Sequence, residues 1–226
     1  MITPDRKAAT LSGDNGGMSG LLPLFPLQLV ALPGNLVPLH IFEPRYREMI
    51  AEAESKGSPF GIVLAKEGGI VNAGCSVVVE SVITRYPDGR LDIVGRGRRR
   101  FRLLAVDDEL PHLRGEVEYF DDEDLRPAAP EFRTRAVAAC LDAIRELGEE
   151  DSAPNYDLTD PELSFRLAPT LRDVDFLDSI LRETSETRRL EMIIENAPKY
   201  VERSKYVEKM RHVAPTNGHG HTPKAV

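Results

Sequence analysis

The chain contains few of the residues and motifs that would indicate a secreted or membrane protein. Its 226 residues include only two cysteines, Cys75 and Cys140, which lie far apart in dissimilar contexts. This excludes a disulfide framework and a cysteine-based zinc cluster, and it indicates reduced thiols. No apolar run approaches the roughly 20 residues of a membrane helix, and the N-terminus lacks a basic and then apolar signal sequence. We expect a soluble, cytoplasmic protein that does not bind membranes.

The signatures of the common catalytic and cofactor sites are also missing. The dipeptide Gly-Lys does not occur, which excludes a P-loop ATPase. Gly95 and Gly97 are not followed by the third glycine of a dinucleotide loop. Ser55 and Lys56 are adjacent and cannot face each other on a helix, so they form no catalytic dyad. The sequence therefore predicts no catalytic residue, no metal site, no cofactor and no enzyme activity.

Negative charge predominates, and it is unevenly distributed. The net charge is −8; residues 1–120 carry 14 Lys and Arg against 15 Asp and Glu, whereas residues 121–226 carry 15 against 22. An acidic surface repels phosphate backbones. Nucleic acid is consequently not the favoured partner.

Residues 21–120 show the period-two pattern of β-strands. Cys75, Val77, Val79, Ser81 and Ile83 are predicted to face one side of a strand. The segment 86–90 (YPDGR) predicts a hairpin turn, because proline presets the turn and glycine allows a positive φ. Further strands are predicted at 35–42, 59–65, 91–106 and 114–120, and a helix is predicted from Pro44, with Tyr46, Met49, Ile50 and Ala53 on its apolar face.

Beyond residue 130 the hydrophobic period becomes helical. The acidic, proline-bearing segment 121–130 is interpreted as a linker, and residues 131–212 as a helical subdomain in which Thr159 caps a short helix. Segments 1–20 and 213–226 are interpreted as flexible tails. The predicted fold class is α+β: a β-rich, partly closed barrel at 21–120, followed by a C-terminal helical bundle.

The segment 95–102 (GRGRRRFR) holds five arginines and one aromatic residue. On a regular strand, Arg96, Arg98, Arg100 and Arg102 would line one face. One hypothesis is an anion or RNA contact through this face. The alternative is a solvated strand face whose arginines pair with nearby acids.

The segment 21–46 is strongly apolar and contains five prolines, at positions 23, 26, 33, 38 and 44. Proline donates no ladder hydrogen bond, so strands here should be short, bulged or at an edge. Such strands leave side chains and backbone groups available to an extended peptide. The alternative is that these side chains fill the β core.

These residues resemble the N-terminal LON domain of the ATP-dependent Lon proteases. The resemblance is carried by segments 22–27 (LPLFPL), 32–34 (LPG) and 37–46 (VPLHIFEPRY), and it continues in 160–168 (DPELSFRLA) and 187–191 (TRRLE). It implies a PUA-like β subdomain followed by helices, and a stand-alone LON-domain protein without the ATPase and protease parts.

The resemblance also implies a role: recognition of unfolded or extended polypeptide, with a separate protease as a further expected partner. Peptide contacts are expected from seven residues of the apolar segment and the helix that follows it: Leu32, Pro33, Phe42, Arg45, Tyr46, Arg47 and Met49. The alternative function is RNA binding by a PUA-like surface through the arginine-rich strand.

Overall fold

The structure is a computed structural model that describes residues 21–149 and 154–213. The predicted tails lie outside these residues, except for Val213, which ends the last helix. The elements in chain order are β1 (Leu22–Leu27), β2 (Leu36–Ile41), α1 (Pro44–Lys56), β3 (Phe60–Lys66), β4 (Gly69–Arg85), β5 (Leu91–Asp107), β6 (Arg114–Phe120), α2 (Pro130–Glu146), α3 (Leu163–Leu167), a 3-10 turn (Ala168–Thr170), α4 (Val174–Arg182) and α5 (Glu186–Val213).

The six strands form one sheet in the order β2-β5-β4-β3-β1-β6. Strand β6 also pairs with β5, so that five strands close into a ring and β2 is attached at its margin. Only β1 and β3 run parallel; the other pairs are antiparallel. The proline-bearing β2 pairs with β5 alone, which agrees with the expectation of an edge strand.

Bulges bend the two long strands β4 and β5 around the ring. Their register shifts between Cys75 and Val77, between Val79 and Ser81, and between Val82 and Thr84. The prediction that Ser81 and Ile83 lie on the same side of the strand as Cys75 and Val77 is therefore wrong. The extra residue at Glu80 reverses the alternation, so Val82 packs against the core and Ile83 is 64% exposed.

The turn at 86–90 has the predicted geometry. Gly89 adopts a φ of 84°, and its N–H donates to the carbonyl of Tyr86 at 2.9 Å. Gly97 is required by close packing, because a Cβ there would lie 2.1 Å from the carbonyl oxygen of Leu32. The chain segment before β2 can therefore lie directly against β5.

The helices contribute to the same core as the sheet. Tyr46, Met49, Ile50 and Ala53 are buried on α1, as predicted. Apolar residues of the sheet, such as Phe60, belong to one continuous cluster with residues of α3 and α5, such as Phe165 and Leu190. The expected cap at Thr159 is wrong. Helix α3 begins at Leu163 without a side-chain cap, and the Thr159 hydroxyl donates to Asp157 instead.

A buried ion cluster joins the β ring to the helices. Arg189 of α5 is 0% exposed and donates to both carboxylate oxygens of Asp122 (2.6 and 2.7 Å), to Glu186 (2.9 Å) and to the hydroxyl of Ser164 (2.7 Å). Arg100 of β5 is 3% exposed and donates to the same Asp122 and to the carbonyl of Glu183. Asp122, in the segment predicted as a linker, thus bridges the strand and the helix.

Electrostatics keeps this cluster ionised. Burial alone would raise the pKa of Asp122, but the hydrogen bonds and charges of Arg189 and Arg100 outweigh it, and the pKa lies below its usual value. Burial also opposes the charge of Arg189. Asp122 and Glu186 compensate for it and leave the Arg189 pKa raised.

We predict that Arg189→Met lowers the free energy of unfolding by about 3–5 kcal/mol, because it leaves Asp122 and Glu186 buried without their shared cation. The matched control is Arg188→Met, which removes an exposed arginine paired with Glu191 and should cost less than about 1 kcal/mol. Denaturant unfolding of both variants measures the difference. Equal losses would contradict a central role for the cluster.

The lowered pKa of Asp122 gives a prediction for acid sensitivity. Because the folded-state pKa lies below the unfolded one, the stabilisation is complete above about pH 4 and is lost as the pH falls through the folded-state value. Asp122→Asn should therefore have a much lower free energy of unfolding than wild type at pH 7, and the difference between the two proteins should become smaller below about pH 4. Unfolding curves from pH 7 to pH 2 test this. Asp121→Asn, which changes an exposed neighbour, should show no comparable gap at pH 7.

Candidate functional site

A groove of about 550 Å³ opens where the ends of β1, β2 and β3 meet the start of α1. We call it the Phe42 groove. Its apolar part includes Phe25, Leu27 and Phe42, and its polar part includes His40, Arg45 and Lys66; the other lining residues are Pro26, Glu43, Tyr46, Gly69, Ile70 and Leu113. An apolar depression with a few charged groups at its margin is the usual form of a ligand site.

Phe42 occupies the short connection between β2 and α1. Its side chain is 59% exposed, although an aromatic ring of this size is usually buried. The ring stacks against that of His40, with centroids 6.0 Å apart. Pro44 starts α1 two residues later, so Phe42 is held in a fixed connection between two regular elements.

A hydrogen-bonded group supports His40 beside Phe42. The Nδ1 atom of His40 lies 2.6 Å from one carboxylate oxygen of Asp92, and the Tyr86 hydroxyl donates to the other at 2.6 Å. These two hydrogen bonds lower the pKa of Asp92, and the bond to Asp92 raises the pKa of Tyr86. Asp92 therefore stays ionised and orients His40 from the neighbouring strand.

The cations at the groove are paired, but only in exposed ion pairs. The Nε of Arg45 donates to Glu43 at 2.9 Å, and its guanidinium lies 4.6 Å from the centroid of Tyr46. Lys66 donates to Asp175 at 2.6 Å, and this bond raises its pKa. Because exposed pairs contribute little free energy, a ligand carboxylate can compete for these cations.

The seven residues predicted to contact peptide differ in their position and exposure in the structure. Phe42 and Arg45 line the groove with accessible side chains. Tyr46 touches the groove, but it is buried, with its ring 4.2 Å from that of Phe25. Arg47 instead donates to the carbonyl of Asp88 in the hairpin at 2.7 Å.

Leu32, Pro33 and Met49 are buried in this structure, so their expected contact with peptide, which stays a prediction, would require them to become accessible. Leu32 lies against Gly97, and the Pro33 carbonyl accepts from Arg166 at 2.7 Å. For these residues the alternative given by the sequence, core packing, agrees with the structure. The exposure of Phe42 and the burial of Leu32 could not be distinguished from hydrophobicity alone.

The four arginines predicted to share one strand face do not share it. Cys75 pairs with Arg100 while Val77 pairs with Gly97, so two residues, Arg98 and Arg99, bulge outward opposite one. Arg100 turns inward to Asp122. Of the other predicted residues, Arg96 pairs with Glu80 at 2.8 Å and Arg102 lies 3.7 Å from Glu118.

The RNA hypothesis thus retains Arg98 as its one arginine that is exposed and forms no ion pair with any described residue. Within residues 21–149 and 154–213, no group of three His, Cys, Asp or Glu side chains is placed to hold a metal ion. None of the helices in these ranges is long and apolar enough to cross a bilayer.

Comparison with known proteins gives concordant matches. Residues 21–201 match the family model described as the ATP-dependent protease La (LON) substrate-binding domain. The Lon proteases of Parabacteroides distasonis and Flavobacterium johnsoniae are 28% and 24% identical over 134 and 135 residues, which are 56% of this chain and 16% of each relative. The aligned region is thus a small part of those proteins.

Two solved structures have a similar fold. A Lon N-terminal domain protein from Xanthomonas campestris is 30% identical, with a TM-score of 0.61 over 78% of this chain and 98% of that one. The N-terminal domain of the Mycobacterium avium complex Lon protease is 18% identical, with a TM-score of 0.58 over 79% and 98% of the two chains. At 18% identity the second match supports the fold alone.

Proposed function

Because this chain belongs to the LON substrate-binding domain family, we propose that it binds unfolded or extended polypeptide in the Phe42 groove. The observation that supports this most is the 59% exposed aromatic ring of Phe42 at the edge of an apolar depression. Exposed aromatic side chains in pockets are frequent centres of binding energy. Phe25, Leu27 and Ile70 would receive the apolar side chains of the bound segment.

The charges around the groove suit a polypeptide of mixed sequence. Arg45 and Lys66 can pair with carboxylates of the bound chain, and Glu43 with its amines. His40 presents a ring that can stack or hydrogen-bond. Weak, exchangeable contacts of this kind favour broad recognition over selection of one sequence.

We propose that this role is recognition without catalysis. The matched family region is a substrate-binding domain, and the sequence contains no Gly-Lys dipeptide for a phosphate loop. Ser55 donates to the carbonyl of Glu52 and Lys56 pairs with the Glu52 carboxylate, so neither activates the other. We propose a separate protease that receives the bound polypeptide as the partner for this role.

Four finer assignments accompany this proposal. The closed ring of five strands supports the interpretation as a PUA-like barrel, and the packing of α2 against α5 supports a helical bundle. The division into subdomains at 121–130 stays a prediction. Cys75 and Cys140 are free and buried, which supports a cytoplasmic location.

We predict that Phe42→Ala weakens the binding of a labelled unfolded polypeptide about tenfold, because it removes the exposed aromatic contact. Fluorescence anisotropy titrations measure the affinity, and circular dichroism checks that the variant is folded. The control is Ile83→Ala, which removes an equally exposed apolar side chain from β4 outside the groove. An unchanged affinity for Phe42→Ala, or an equal loss for Ile83→Ala, would remove this groove as the binding site.

A further inference from the structure

A second groove, of about 440 Å³, lies at the bulge of β5. We call it the Arg98 groove. It is lined by the arginines Arg96, Arg98 and Arg99, by the apolar residues Pro59 and Val78, and by Tyr119; Gly34, Ser76 and Gly97 complete it. It shares no lining residue with the Phe42 groove.

The charges of these three arginines are compensated unequally. Arg96 donates through Nε and Nη2 to both carboxylate oxygens of Glu80, at 2.9 and 2.8 Å. Arg99 donates to Asp121 at 2.9 Å. Arg98 is exposed and makes no hydrogen bond or ion pair through its guanidinium to any residue of the described part of the chain. Within residues 21–149 and 154–213, no aspartate or glutamate lines the groove.

The acids that pair with Arg96 and Arg99 are themselves solvent-exposed. Glu80 and Asp121 have side-chain exposures of 41% and 73%. The pKa of Glu80 is lowered mainly by the hydrogen bond from Arg96, with a smaller contribution from the charge of Arg98. Exposed pairs of this kind are weak, so an incoming anion meets one unpaired guanidinium and two that can exchange partners.

The rest of the groove is fixed by hydrogen bonds and is partly apolar. The Ser76 hydroxyl is bonded to both the N–H and the carbonyl of Arg99, at 3.0 and 3.1 Å, and this fixes the bulge. The guanidinium of Arg99 lies 5.1 Å from the centroid of Tyr119. Arg98 and Arg99 are thus presented side by side by a fixed backbone next to Val78 and Pro59.

We propose that the Arg98 groove binds a single carboxylate of an extended polypeptide, with the adjoining apolar part against Val78 and Pro59. This inference rests on the proposed function and adds a charge preference to it. A guanidinium fork matches the geometry of a carboxylate, as it also matches a phosphate. The exposed Glu80, Asp121 and Glu118 near the arginines, and the net charge of −8, would repel a polyanion, so the carboxylate is favoured over nucleic acid.

The position of this groove suits a chain that also occupies the Phe42 groove. Gly34, at the Arg98 groove, is followed closely by β2, and Phe42 follows the last residue of β2. Six residues of strand span roughly 20 Å. An extended segment of about six residues lying along β2 would therefore reach from one groove to the other.

The first test uses two labelled unfolded peptides that differ in a single Glu or Gln and carry a C-terminal amide. We expect wild type to bind the Glu peptide about tenfold more tightly at low salt, as expected for a charge-assisted hydrogen bond. Arg98→Gln should remove this preference and leave the affinity for the Gln peptide unchanged. Arg102→Gln, an exposed arginine of the same strand outside the groove, should keep it. A preference that is absent in wild type, or that survives in Arg98→Gln, would overturn the proposal.

The second test does not depend on polypeptide binding. N-acetyl-leucine and its amide are titrated into the full chain while the backbone amide signals of Gly97, Arg98 and Arg99 are followed by NMR. We expect these signals to shift with N-acetyl-leucine but not with its amide, and we expect the shifts to be lost in Arg98→Gln. This result would support the site even if Phe42→Ala leaves the polypeptide affinity unchanged. Equal shifts with both compounds, or none, would refute it. Repeating the titration with a peptide that has a free C-terminus distinguishes a terminal carboxylate from a side-chain carboxylate as the bound group. A short RNA that binds more tightly than the Glu peptide would overturn the choice of a carboxylate as the ligand.

Discussion

The ionic contact of Arg189 and Arg100 with Asp122 is the constraint on which the arrangement of the molecule depends. It places one carboxylate between a strand of the ring and the longest helix. The apolar core that surrounds it is continuous between sheet and helices, but apolar packing alone does not fix the position of the helices relative to the sheet. Buried charged groups fix this position, because each must lie at hydrogen-bond distance from its partner. Ser164 and Glu186 complete the pattern from α3 and from the first turn of α5.

This constraint also explains why the arginine-rich strand β5 contains a bulge. Arg100 must point inward to reach Asp122, whereas regular alternation after Gly97 would direct Arg98 and Arg100 to the same side. The bulge at Arg98 and Arg99 resolves the conflict by adding one residue. The same bulge brings two guanidiniums to one surface position. A feature needed to bury one arginine is thus what exposes its neighbours.

Local patterns in the sequence predicted most elements of the fold. The turn at Gly89, the helix from Pro44 and the strands on either side follow from φ preferences and hydrophobic period, which are local properties. Asp122 could not be identified, because its segment looks like an acidic linker and its partners are 22 and 67 residues away in sequence. Register shifts such as that at Glu80 were equally hidden, since they depend on the closure of the ring. For the candidate site, Phe42 and Leu32 could both be selected as apolar candidates from the sequence, but the sequence did not indicate which of the two is exposed.

The edge strand β2 connects these points to function. Its pairing with β5 places Leu36 opposite Arg96, two residues from the arginine bulge, and places His40 opposite Asp92 near the other end. Its side chains alternate between buried and exposed along its whole length, which leaves Leu36, Pro38 and His40 on the outer face. Pro38 cannot donate a hydrogen bond, and this limits indiscriminate pairing with other strands. The polypeptide recognition that we propose along β2 would then rely on side-chain contacts near its two ends, an apolar one at Phe42 and a cationic one at Arg98. A polypeptide that is unfolded can satisfy both, whereas a folded surface rarely presents an extended segment of that length.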